Sequence, residues 1–140
     1  MTKLNNNFEV DEDCDNYNFD RDFITLDAWK RSREVKLFFY KKILPKVANE
    51  EKYNLGAQIR QASISITANI AEGYGRYHYQ ESIQFYRISR ASLYELKDHL
   101  ISCSDLDFIT EKEFKSGIHL IESAKIALNG FINYIKRKAK

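Results

Sequence analysis

The stretch QIRQASISITANIAEGYGR, residues 58–76, decides how the rest of the chain is read. At about 100° per residue, Leu55, Ile59, Ala62, Ile66 and Ile70 fall along one arc, the pattern of a helix with a buried face. Ile64, Ala68 and Ala71 form a second apolar arc on the opposite side, so this helix asks for two sets of neighbours. Between the arcs lie Gln58, Ser65, Asn69 and Glu72, a polar stripe that is costly to bury unless its groups find hydrogen bonds. The stripe is read as an oligomer or helix-packing interface. Asn54 is the expected N-cap and Gly73 the expected left-handed closing residue, giving a helix over residues 55–72.

Upstream, a first helix is expected from Thr25 or Asp27, either of which can cap it, to Leu44, where Pro45 stops it. Ala28, Trp29, Ser32, Val35, Phe39 and Ile43 make its buried arc, widened by Leu26, Leu37, Tyr40 and Leu44. Lys30, Arg31, Glu34, Lys41 and Lys42 occupy the remaining arc. Four cations with one anion on an exposed face are a candidate phosphate-binding surface. The simpler reading is that long basic side chains keep the helix solvated. Arg33 and Lys36 fall inside the apolar arc and are expected to pair with carboxylates or to extend their heads to water. Residues 46–54 read as a loop or frayed turn.

Downstream, Tyr74, Gly75, Arg76, Tyr77, His78 and Tyr79 interleave tyrosines with cationic groups. Such a linker can stack on unpaired bases, or it can close a helical hairpin while its rings cover the end of the core. A third helix over residues 79–102 carries Phe85, Ile88, Ser92, Leu96 and Leu100 on one face, broadened by Tyr86, Leu93 and Ile101. The short turn makes it antiparallel to the second helix, with Glu72 expected to pair with Arg76 or another nearby cation, a buried pair of the kind that fixes register. Thr110 and Glu113 have capping-box spacing, and Phe114, Ile118, Ile121, Leu128, Phe131, Ile132 and Ile135 continue as the clearest amphipathic pattern in the chain. Lys136, Arg137 and Lys138 suit a helix C-terminus, and with Arg76 they complete the candidate nucleic-acid-binding set.

The QIRQAS and NIAEGYGR runs, Phe85, the ISRASLYEL segment and Trp29 in LDAWKRS together resemble the 23S rRNA intervening-sequence protein family. The resemblance covers residues 24–135; the leader and residues 89–92 depart from the usual pattern. It implies an all-α, antiparallel up-down four-helix bundle assembled as a homopentamer. A more distant likeness is to the accessory variability determinant of diversity-generating retroelements, a pentameric bundle that binds a reverse transcriptase and RNA.

Length and composition suit one domain: 140 residues, 44% hydrophobic, with one proline and five glycines. The net charge of +2 conceals an asymmetry, with seven acids against two bases in residues 1–22 and thirteen acids against twenty bases in residues 23–140. The leader is read as a flexible acidic tail, alternatively as an arm that folds over the basic body, or over a neighbouring protomer, and competes with nucleic acid. Residues 23–140 are read as the bundle domain. Cys14 and Cys103 lack metal or disulfide spacing, which suggests a reducing compartment, the cytoplasm. No run approaches the apolar length of a membrane span, and the N-terminus lacks a signal-peptide pattern.

Catalytic chemistry has no residues to carry it. A di-iron bundle needs two Glu-x-x-His motifs and further inward carboxylates, whereas Glu95 precedes His99 by four residues and His119 precedes Glu122. No phosphate-binding glycine loop or nucleophile and base set occurs. No enzyme, metal or cofactor is expected. Two functions remain: an oligomeric module that binds RNA or DNA through its basic face, or a protein-interaction scaffold with a partner such as a reverse transcriptase.

Overall fold

The computed structural model describes residues 22–76 and 78–139. Apart from Asp22, the acidic leader lies outside the described residues. Regular structure among them is helical: α1 (Asp27–Phe38), α2 (Leu55–Tyr74), α3 (Tyr79–Asp105) and α4 (Glu111–Lys138), with short 3-10 turns at Phe23–Thr25, Leu44–Lys46 and Asn49–Glu51. Among the described residues no helix is long and apolar enough to cross a membrane.

The arc expected for α1 is buried as read, from Ala28 through Trp29, Ser32 and Val35 to Phe39 and Ile43. Its two ends differ from expectation. Neither Thr25 nor Asp27 caps α1; Leu26 holds the cap position without a side-chain bond. Thr25 instead donates its hydroxyl to the Asp22 carbonyl at 2.7 Å, while Asp27 pairs with Arg31 at 2.8 Å. At the other end, Pro45 offers no N–H to the Lys41 carbonyl and its ring crowds that group. The chain widens accordingly: Phe39–Ile43 is a π turn, and the Leu44 N–H reaches back five residues to the Phe39 carbonyl.

In α2 the inner arc of Leu55, Ile59, Ala62, Ile66 and Ile70 is buried; each fully buried aliphatic side chain contributes about 1.5–3 kcal/mol. Asn54 stands at the cap position, but the first turn is served by Glu51, whose carboxylate accepts from the Leu55 N–H at 3.4 Å and from the Asn54 amide at 3.0 Å. Gly73 does not close the helix in a left-handed conformation. It is a buried helical residue, and Gly75 takes the cap position at φ −76°. A Cβ at Gly73 would stand 2.6 Å from Tyr86 Cε1 and 3.0 Å from the Ser82 carbonyl, so the glycine is there for close approach.

The α3 core stripe is rotated from the expected one. Ile83, Tyr86, Ser89, Leu93, Leu96, Leu100 and Cys103 are buried, whereas Ile88 is 47% and Ile101 40% exposed. Ser89 takes a core position because it is small and because its hydroxyl donates to the Ile66 carbonyl at 2.6 Å. Thr110 and Glu113 form the expected capping box at the start of α4.

Contacts between the helices follow a regular order. Ser65 meets Ser92 at 2.7 Å, Ile66 meets Ser89, and Gly73 lies against Tyr86, so later residues of α2 face earlier ones of α3. Arg90 binds Asn129 and Lys97 binds Glu122, both at 3.0 Å. Arg31 donates to Ser123, Lys46 pairs with Glu113 at 2.7 Å, and Lys36 donates to Thr67 at 3.0 Å. Each helix thus has two neighbours around a single core.

The Glu113 contacts give a pH signature. Hydrogen bonds from Lys46 and Thr110 favour its ionised form and hold its pKa down to about 2. A depressed carboxylate stabilises the fold fully above its unfolded value, about 4.3, and that contribution disappears as pH falls through about 2. Denaturant midpoints measured from pH 5 to pH 2 should therefore fall less in Glu113→Gln than in the parent; parallel curves would show that the contact contributes nothing.

Candidate nucleic-acid interface

The outward face of α1 follows from its buried one. With Trp29, Val35 and Phe39 turned inward, Lys30, Arg31, Glu34, Lys41 and Lys42 are exposed. Lys30, Lys41 and Lys42 make no ion pair among the described residues, so their charges face solvent uncompensated. Arg31 is engaged by Asp27 and Ser123. Of the two cations within the apolar arc, Lys36 departs from expectation by donating to a hydroxyl, and Arg33 lies 5.7 Å from the centroid of the Trp29 ring. Burial, then the nearby Arg33, pushes the Lys36 pKa below its ordinary value.

Arg76 occupies a different setting from the lysines. It pairs with Glu72 at 2.5 Å and Glu81 at 3.1 Å, and its guanidinium lies 4.7 Å from the Phe85 centroid. The expected Glu72 pair forms, but on the surface, with both side chains more than a third exposed. Two carboxylates and a ring make Arg76 a clasp between α2 and α3 with little charge left for a phosphate.

Lys136, Arg137 and Lys138 are exposed at the end of α4, and Lys138 lies beside His78 and Tyr79 at the start of α3. The candidate cations therefore form no single cluster. Lys30 lies beside the Arg31 contact with Ser123, well away from the basic end of α4. Lys41 and Lys42 lie about 16 Å further along the chain, in the π turn that follows α1, near the connection into α2.

The polar stripe of α2 is also divided. Ser65 bonds Ser92 across the helix pair, Asn69 donates to the Ser65 carbonyl and hydroxyl, Glu72 joins the Arg76 clasp, and Gln58 is exposed. The second arc faces outward, with Ile64 54% exposed, Ala68 exposed and Ala71 half-buried. One charged cluster escaped the sequence reading. Lys125 is buried to 8% exposure, 3.9 Å from the Tyr94 centroid, and shares Glu122 with Lys97. Burial works against its charge, but the Tyr94 and Glu122 contacts outweigh it and raise its pKa above the ordinary value. Only the spacing of Glu122 and Lys125 was visible in sequence. Among the described residues no group of three or more His, Cys, Asp or Glu side chains is arranged to hold a metal.

The profile described as 23S rRNA-intervening sequence protein matches residues 25–130. The chain belongs to that family. The match spans α1 through the Asn129 contact of α4, so the family region takes in the exposed lysines of α1 and the Arg76 clasp but stops before Lys136. The basic end of α4 lies outside the matched residues. No curated protein matches the chain.

Proposed function

We propose that the protein is a non-enzymatic, oligomeric module that binds structured RNA through the outward face of α1 and the basic end of α4. The observation that carries this reading is the exposure of Lys30, Lys41 and Lys42 without ion-pair partners among the described residues. Cations left unpaired in the free protein release phosphate counterions on binding, which gives affinity with a steep salt dependence. Arg31 and Arg76 contribute less, since their charges are already engaged. We take the bundle to be antiparallel and homopentameric, which would repeat the basic face around an axis and raise avidity, and we place its work in the cytoplasm because neither cysteine has disulfide spacing.

The test is binding of a structured RNA at several salt concentrations to the parent and to a variant carrying Lys30→Glu, Arg31→Glu, Lys41→Glu and Lys42→Glu. The parent should lose affinity steadily with salt, and the variant should bind at least about 100-fold more weakly with a shallower slope. Equal affinity in the two proteins, retained at high salt, would sink the proposal.

The exposed Ile64 and Ile88 favour a second reading in which the α2 and α3 face docks a polypeptide such as a reverse transcriptase. Light scattering on Ile64→Glu with Ile88→Glu separates the cases. Dissociation to monomers assigns the face to protomer contacts; an intact oligomer that no longer binds the polypeptide supports the scaffold.

A further inference from the structure

The outer edge of the seam between α3 and α4 is lined from both sides. Lys97, Tyr94, Arg90 and Arg87 recur every three or four residues along one flank of α3, and Glu122, Lys125, Asn129 and Lys136 share the facing flank of α4. The two flanks meet directly: Lys97 binds Glu122 at 3.0 Å, Lys125 stands 3.9 Å from the Tyr94 centroid, and Arg90 donates to Asn129 Oδ1 at 3.0 Å. Its two carboxylates, Glu122 and Asp98, both stand at the Lys97 end. Beyond Glu122, α4 has no acid, and Glu81, the one acid of α3 before Tyr94, is spent on Arg76. Arg87 makes no ion pair or hydrogen bond among the described residues, and the Arg90 contact with Asn129 is to a neutral group. From Lys125 to Lys136 this acid-free part of the seam runs about 17 Å.

Tyr94 is the aromatic member of the row. Lys125 is almost wholly buried, held by Glu122 at 3.2 Å, and its ammonium covers one face of the ring. The tyrosine is nonetheless 53% exposed, which leaves its other face to solvent. A buried lysine that fixes an exposed ring makes a stacking surface already ordered before a ligand arrives.

We infer that this seam takes an unpaired stretch of nucleic acid, with phosphates on Arg87, Arg90 and Lys136 and one base stacked on the open face of Tyr94. Asn129, accepting through Oδ1, keeps its amide N–H donors for the same ligand. Stacking on an aromatic ring tolerates any base, and a duplex offers no free base face along its length. Binding here rests on the nucleic-acid reading but uses a different face: α3 neighbours α2 and α4 and stands across the core from α1, so the seam is separate from Lys30, Lys41 and Lys42.

Fluorescence anisotropy with a short labelled oligouridylate and with a blunt RNA duplex tests this. In Arg87→Gln with Arg90→Gln, oligouridylate affinity should fall at least about tenfold, and the slope of log affinity against log salt should shrink by about 1.4, or about 0.7 for each lost phosphate contact. Tyr94→Leu should also lose about tenfold, the contribution of one stacked base, with the slope unchanged, while Tyr94→Phe stays within about twofold of the parent. Duplex affinity should be the same in all of them. If Tyr94→Leu unfolds, the arginine variant and its slope carry the test. Oligouridylate affinity unaltered in the arginine variant would overturn the inference, as would an equal loss for oligouridylate and duplex. A parent that binds the duplex alone also overturns it and leaves the nucleic-acid reading standing; a parent that binds neither RNA ends both.

Discussion

Phe39→Ala should destabilise the fold by about 3–5 kcal/mol, which lowers the melting temperature by roughly 10–20 °C for a chain of this size. Phe39 is fully buried, is among the largest side chains so placed, and opens the π turn that Pro45 imposes on the end of α1. The ring packs edge-on to Phe38 at 6.0 Å, and Phe38 in turn lies against Gly117 of α4. Truncation leaves a cavity where the chain is least free to collapse, because the Phe39 carbonyl is tied to the Leu44 N–H. Urea denaturation checks this. A loss below about 1 kcal/mol would mean that the π turn relaxes to fill the space.

Two glycine substitutions should move stability in opposite directions. Gly73→Val costs about 3 kcal/mol, since the first added carbon already collides with a buried tyrosine ring and with the Ser82 carbonyl, and backbone cannot step aside. Gly130→Ala has nothing within 4 Å of its new carbon and sits inside α4, two turns from its end, so it should stabilise by about 0.5–1 kcal/mol through helix propensity alone. Thermal melts of the two variants beside the parent decide both. A neutral Gly73→Val would show that α2 and α3 separate at little cost.

The contrast between these glycines also shows what could be read from sequence. Features set by residues within one turn were legible: the Thr110 and Glu113 box, the buried arc from Ala28 to Ile43, and the inner arc of α2 all depend on local spacing. Gly73 was misread because a glycine near a helix end suggests a cap, whereas its reason lies thirteen residues on, in the ring of Tyr86. Ser89 looked polar and unplaced until the Ile66 carbonyl gave it a partner. Pro45 announced the end of α1, but whether the chain would stop or widen into a π turn depended on Phe39 and Ile43 already being held in the core.

The surface was legible in part. The exposure of Lys30, Lys41 and Lys42 follows from the amphipathic pattern, because whatever is not in the buried arc faces out. The Glu72 partner of Arg76 could be found at four residues' spacing, while Glu81 and Phe85, across the turn, could not. Those two contacts turn an apparent phosphate ligand into a clasp. Likewise, the distance between Lys41 and Lys138 depends on which helices are neighbours, and no periodicity in a single segment encodes it.

The contact of Arg31 with Ser123 joins residues 92 apart, whereas Ser65 and Ser92 are 27 apart. Loop-closure entropy grows only with the logarithm of that separation, so joining the first helix to the last costs about 1 kcal/mol more than joining the middle pair. Thermodynamically the difference is small, but during synthesis it becomes one of time. At about 5–20 residues per second, α4 follows α3 by several seconds, and through that interval Val35, Phe39, Leu93 and Leu96 lack their fourth wall. The nascent chain is at its most adhesive then, just before the segment that ends in lysines and arginine emerges to cover it.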